Sequence, residues 1–188
     1  AFQRHATSKL VSLDGLSQID TFGFRGEALA SIAAAAHVRM LTRSSEMSTA
    51  AVVEVERGQL AHCAPEATGP GTTVVVDALF STIPARLKFI KSVAAETIRI
   101  RQVIDHMAMA NPDVRLTLRT PERTLLQTTG NGDLRDVWTD VHGADIAAKA
   151  ITIRPSTRAA HPSYGIVSAP EHSRSNRTGI SLFVNGRW

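Results

Sequence analysis

The sequence predicts a mixed α/β or α+β chain built in two parts, and three features carry that expectation. Segments with helical apolar periodicity are interleaved with shorter runs in which apolar and polar residues alternate. A glycine-bearing stretch, GNGD at 130–133, interrupts the pattern and is followed by a new helix and further strand candidates, which places a domain boundary near 131. At 188 residues, 43% apolar and 20% charged, the chain has the length and composition of a folded protein with room for one domain or two small ones.

In chain order, the first predicted helix covers 27–36, alanine-rich, with Leu29, Ile32, Ala33 and Ala36 as a narrow apolar stripe suited to close packing. VRMLTRS at 38–44 and AVVEVERGQL at 51–60 alternate and read as antiparallel strands with one wet face. GTTVVVDALF at 71–80 carries a continuous valine run and reads as a more buried strand. Pro84 stands where a helix can start. A second amphipathic helix is expected over 98–110, with Ile100, Val103, Ile104 and Met107 as its stripe and Asn111 and Pro112 as its stop. Strands at 114–120 and 123–129 form a hairpin. Asp133 then caps a helix whose stripe is Leu134, Val137, Trp138 and Val141, ended by Gly143. Strands near 150–154, 164–169 and 180–185 complete the second part.

Composition also excludes function classes. A single cysteine, Cys63, leaves no internal disulfide framework and no thiolate metal site, which makes an intracellular compartment the simpler inference over secretion. Neighbouring His62 points to the opposite face of a strand, which argues against a Cys–His nucleophile. The seven histidines show no metal-ligand spacing. No run reaches the roughly 18 apolar residues of a spanning helix. Charge is unevenly placed: residues 1–153 hold sixteen Lys and Arg against sixteen Asp and Glu, whereas 154–188 hold five Arg against one Glu. Arg154, Arg158, Arg174, Arg177 and Arg187 are either a solvated basic surface or an electrostatic footprint for nucleic acid.

Near the start, RHATSK at 4–9 precedes GFRGEAL at 23–29. A glycine turn running into a helix presents backbone N–H groups and the positive end of the helix dipole, a complement to phosphate. Gly23 and Gly26 allow close backbone approach, and Thr7, Ser8 and Lys9 add two hydroxyls and a cation. By itself GxxG is also an ordinary helix start, and no P-loop is present.

Together with GTTVVVDALFSTIPARLKF at 71–89 and FVNGR at 183–187, these segments resemble the MutL family of DNA mismatch repair proteins, in the same order and at similar spacing. The resemblance implies an α/β sandwich of the GHKL ATPase type over 1–130, truncated at its N-terminus, and the start of a ribosomal protein S5-like domain over 131–188. It also implies ATP as ligand. Gly23, Phe24, Arg25, Gly26, Glu27, Ala28 and Leu29 match the family's phosphate motif, with Arg25 and Glu27 shaping the loop. Thr7, Ser8 and Lys9 match its lid, Thr72 the strand threonine at the adenine end, and Arg187, with Arg174 and Arg177 nearby, its DNA-binding groove. The implied partners are duplex DNA read without sequence preference, a MutS-type mismatch recognition protein, and a second copy joined through the N-terminal regions when ATP binds. An ATPase of a type II topoisomerase subunit and a non-catalytic interaction module are the alternatives.

Thr82 departs from the pattern, standing where the family usually has Asn. A larger departure is that the family's Glu general base, its Mg²⁺-binding Asn and its DNGxG adenine segment have no counterpart; Gly130 of GNGD stands where the Asp would be, and the stretch reads as a turn. The chain starts without Met, inside the lid match, and reads as a fragment whose Mg²⁺ ligand lies upstream. Asp14, Asp20, Glu54 and Glu56 offer no substitute base. Water activation needs a positioned base, so the 188-residue chain is expected to show no steady-state phosphate release from ATP above a matched blank; turnover would reveal a base that the sequence reading lacks.

Overall fold

The computed structural model describes residues 1–7, 26–155 and 163–188. It comprises two compact units, Ala1–Lys91 and Ser92–Trp188.

Among the described residues, the first unit holds a four-stranded antiparallel sheet in the order β3-β2-β1-β4 with a helix against it. The strands are β1 (His37–Arg43), β2 (Ala50–Glu56), β3 (Gln59–Glu66) and β4 (Gly71–Asp77), and the helix α1 is Ala28–Ala35. Strand β1 is central, and its Val38 is fully buried with Ala33, Ala36 and Val55, against which Phe2 and Val53 pack. On the other face of β1, Arg39 bonds Glu54 on β2 (3.2 Å) and Glu66 on β3 (2.9 Å), the expected wet side of an alternating strand. A short helix α2 (Pro84–Leu87) follows β4 with proline in its first turn.

Three expectations change here. The strand expected over 51–60 turns back at Arg57 and Gly58, whose φ values of 50° and 77° suit a two-residue hairpin, and β3 follows. The valine run of β4 is an edge strand: Val74, Val75 and Val76 are 43%, 40% and 41% exposed. Position in the sheet, and not apolar content, set its burial. On α1 the buried residues are Ala30, Ala33 and Ala35, while Ile32 is exposed.

In the second unit, α3 (Val93–Ala110) begins earlier than its periodicity suggests, because the Ser92 side chain caps it by accepting from the Ala95 N–H (3.3 Å). Ala108 and Met109 of α3 are buried with Leu126 and Val137, and Ile104 packs on them, whereas Ile100, Val103 and Met107 are exposed. The inward stripe therefore runs 101–104–105–108 and includes a polar pair: Arg101 Nε donates to Asp105 Oδ1 (2.5 Å) and its guanidinium also donates to the Leu125 carbonyl. Strands β5 (Thr117–Arg119) and β6 (Thr124–Gln127) form the expected hairpin. Buried Thr128 is satisfied, accepting from the Leu116 N–H (2.9 Å) and donating to the Val114 carbonyl (3.2 Å).

The GNGD stretch is a turn with its own packing reason: a Cβ on Gly130, at φ +69°, would lie 2.6 Å from the Arg115 nitrogen. Asp133 caps α4 (Leu134–His142), accepting from the Arg135 N–H (2.7 Å), and Gly143 ends it. Val137 of α4 is fully buried, with Leu134, Trp138 and Val141 around the same core. This core joins residues on both sides of 131. A short α5 (Ala144–Ala148) leads to an antiparallel pair, β7 (Ile151–Ile153) and β8 (Gly165–Val167). No strand forms over 180–185; that segment holds a single bridge, Val184 to Arg187.

His142, in the last turn of α4, tests which electrostatic effect wins. The helix C-terminus and Asp105 favour its charged form, but burial against Trp138 (ring centroids 4.6 Å apart) is the larger influence and, with Arg174 and Arg101, holds its pKa below 6.5. Below that value the unfolded chain takes up a proton that the folded chain refuses, so stability falls as pH drops through the window beneath 6.5 and is fully regained above it. Thermal melts from about pH 5 to 8 should show this loss on the acid side, and His142→Phe should flatten it. An unchanged slope in that variant would place the titration elsewhere.

Candidate functional site

Residues 1–7 lie against the start of α1. Phe2 anchors them by packing on the first core, and the chain then turns at His5, whose φ is 63°. Ala6 donates its N–H to the Gln3 carbonyl (3.3 Å) and presses its own carbonyl onto Gly26. A Cβ on Gly26 would sit 2.2 Å from the Ala6 oxygen and 2.6 Å from its carbonyl carbon, and φ there is +62°. Two independent reasons, space and backbone conformation, thus require glycine. Beside this contact His5 Nδ1 lies 3.0 Å from Glu27 Oε1, an exposed pair whose contribution to stability is small.

Glu27 is the N-cap of α1 and its side chain makes no capping hydrogen bond. The orphan N–H groups of the first turn and the positive dipole end therefore coincide next to Ala6 and Gly26. An anion is their chemical complement. The structure brings Gly26, Glu27, Ala28 and Leu29 of the sequence-derived phosphate motif against the segment that carries Thr7. Ser8, Lys9, Gly23, Phe24 and Arg25 lie outside the described residues.

Thr72 sits on edge strand β4 opposite Thr42 of β1, and the two hydroxyls are 2.7 Å apart. Among the carboxylates weighed from sequence, Glu54 is paired with Arg39 and Glu56 lies 3.9 Å from His37, while Asp14 and Asp20 are outside the described residues. Among the described residues no group of three or more His, Cys, Asp or Glu could hold a metal ion. Cys63 is free and exposed.

Arg174, Arg177 and Arg187 are all exposed in the second unit. Arg177 opens a 3-10 turn capped by Asn176, whose side chain accepts from the Thr178 N–H (3.1 Å), and Arg187 follows the Asn185-Gly186 turn. Arg154 and Tyr164 line a cavity of about 410 Å³ with Leu134 and Arg135, in the second unit only. None of the phosphate-motif residues lines it. No helix of the described residues is long and apolar enough to cross a membrane.

Sequence reasoning missed Phe2, Ala6 and Thr42. An aromatic residue ahead of a polar segment was the available signal for Phe2; Ala6 carries none, because its role lies in its backbone.

No protein-family profile matches the chain. Curated proteins do: the DNA mismatch repair proteins MutL of Staphylococcus epidermidis and Staphylococcus aureus are each 41% identical over 187 residues. These alignments take in all of this chain and 29% and 28% of those proteins, so the chain spans under a third of the relatives it matches. Among solved structures, the Aquifex aeolicus MutL ATPase domain complexed with ADP superposes with a TM-score of 0.58 and 25% identity, over 70% of this chain and 52% of that one. The N-terminal domain of a DNA repair protein gives 0.64 and 26%, over 81% and 45%. A further ATPase domain, from the A. aeolicus mismatch repair endonuclease MutL, gives 0.63 over 90% of this chain and 60% of that one, and at 21% identity supports the fold. The mixed α/β architecture with its antiparallel sheet is that of these ATPase domains.

The close approach at Gly26 can be checked against a glycine with open space around it. Gly132 has φ +82° and no atom within 4 Å of a built Cβ. Gly132→Ala should cost only the left-handed backbone penalty of about 1–2 kcal/mol. Gly26→Ala should in addition expel Ala6, read as lost hydrogen-exchange protection across residues 2–7. Protection retained in a folded Gly26→Ala variant would mean that the two segments do not depend on this contact.

Proposed function

The chain belongs to the MutL family of DNA mismatch repair proteins, and from that premise we propose that it is part of the ATP-responsive switch region of such a protein. The observation that carries the reading is 41% identity to MutL along the whole chain. The joining of lid and phosphate segments at Gly26 supports it, since that contact sets a helix N-terminus where a triphosphate could be received.

In this reading the main-chain N–H groups around Gly23, Phe24, Arg25, Gly26, Ala28 and Leu29 hold the phosphates of ATP. Glu27 and Arg25 shape the turn, Thr7, Ser8 and Lys9 close over it, and Thr72 serves the adenine end. ADP in the A. aeolicus relative is in keeping with a nucleotide as ligand. Mg²⁺ would neutralise the phosphates, with its ligands supplied by residues outside this set. Nucleotide capture orders the lid and promotes pairing with a second copy, and the change is passed to DNA and to a MutS-type protein. Hydrolysis belongs to the whole protein. Residues 1–130 form the nucleotide-binding part and 131–188 the start of an S5-like domain, which contributes Arg174, Arg177 and Arg187 to a DNA-facing surface. The setting is intracellular.

Two substitutions in the full-length protein separate the two ligands. Gly26→Val places a branched side chain against the Ala6 carbonyl and should greatly weaken ATP binding by calorimetry while leaving DNA affinity near wild type. Arg187→Glu should do the reverse, weakening binding to matched and mismatched duplexes about equally and lowering the log–log salt slope by about 0.9. Wild-type ATP affinity in a folded Gly26→Val variant would refute the phosphate role of the turn, and unchanged DNA affinity and salt slope in Arg187→Glu would return the basic segment to ordinary surface.

A further inference from the structure

The last residues of the chain converge on one imidazole. Asn185 and Gly186 have φ values of 50° and 72°, and Val184 and Arg187 exchange both backbone hydrogen bonds across them, at 2.8 and 3.0 Å. This is a two-residue hairpin turn of the primed type, with both central residues left-handed. A hairpin this small has no stability in water on its own, so its orientation comes from what it packs against. Both of its arms reach His106 of α3. Trp188 stacks on the ring at 3.8 Å with the planes 15° apart, and Phe183 lies 6.3 Å away at 59°. Ser181 adds a third tie, its Oγ 3.1 Å from His106 Nε2.

Phe183 also packs on the second core, but Trp188 is 69% exposed and the imidazole is its ring partner. Arg187 is therefore flanked on one side by the turn and on the other by a ring resting on α3. Burial pushes His106 below its ordinary pKa, against the pull of adjacent Asp105, so the ring is neutral near pH 7 and the contact is a stack of neutral rings.

We propose that His106 and Trp188 are positioning residues for Arg187: their stack fixes the hairpin on α3 so that the guanidinium is presented to a phosphate of duplex DNA. The inference rests on the DNA reading of Arg187 given above. Neither His106 nor Trp188 need touch the nucleic acid. Both act by lowering the conformational freedom that Arg187 would otherwise lose on binding.

The test is a double-mutant cycle on the full-length protein, with duplex affinity measured at several salt concentrations. Arg187→Ala should weaken binding and lower the salt slope by about 0.9. His106→Ala and Trp188→Ala should each weaken binding in the same way, and either combined with Arg187→Ala should be no weaker than Arg187→Ala alone, because their effect passes through Arg187. His106→Phe, which keeps an aromatic plane under Trp188, should recover most of the loss. ATP affinity should stay at wild type throughout. Trp188→Ala removes an exposed side chain and carries the test if His106→Ala fails to fold. Additive losses, or wild-type DNA binding in folded His106→Ala or Trp188→Ala beside a defective Arg187→Ala, overturn the positioning role and leave the DNA reading intact. Wild-type binding in Arg187→Ala overturns both.

Discussion

Two hydrogen bonds at the end of α1 hold the first unit in its arrangement. The last carbonyls of a helix have no partner within it, and here the Ala33 carbonyl accepts from the Gly58 N–H (2.9 Å) and the Ala35 carbonyl from the Phe80 N–H (2.7 Å). Gly58 is the tip of the β2–β3 hairpin and Phe80 lies just beyond β4, so the helix is tied to both sides of the sheet order. An alanine face makes this possible, because Ala33 and Ala36 let the backbone approach Val38 and Val55 closely. With its C-terminal end held, α1 has one place for its N-terminal end. Gly26 and the Ala6 carbonyl meet there.

The second unit uses a different device. Its long helix turns a partly polar stripe inward, and Arg101 joins Asp105 on the same helix to the Leu125 carbonyl of the β6 strand. Such a half-buried polar tie is directional in a way that the surrounding Ile104, Ala108 and Val137 contacts are not. It lies on the side of α3 that faces β6. His106, the next residue round the helix, is thereby presented to the closing segment, and the exposed apolar residues Ile100 and Val103 are left on the opposite stripe. Of the expected apolar stripe, Ile104 packs on the core, whereas Ile100, Val103 and Met107 are exposed.

Element types and chain order were legible because local chemistry writes them. Asp133 and Gly143 bracket α4, Pro84 starts α2, and Asn111 stops α3, each acting through its own backbone or side-chain bonds. The candidate site was half legible. Gly26 stood out because a left-handed turn ahead of a helix demands glycine, whereas its partner is a main-chain carbonyl that any residue at position 6 could have supplied. Thr42 and His106 were silent for the same kind of reason: each matters through a neighbour 30 or more residues away, Thr72 and Ser181.

By itself, then, the sequence determined the mixed α/β class, the turns that require glycine and the resemblance to MutL, all of which depend on residue identity and near-neighbour spacing. Tertiary structure alone decided burial and pairing. The valine run of β4 became an exposed edge because of where it falls in the sheet, α3 turned the half-buried Arg101–Asp105 pair inward beside Ile104 and Ala108, and the segment expected as a strand over 180–185 became one arm of a hairpin tip on an imidazole. Burial is a property of what packs opposite a residue, and that partner is chosen by the folded chain as a whole.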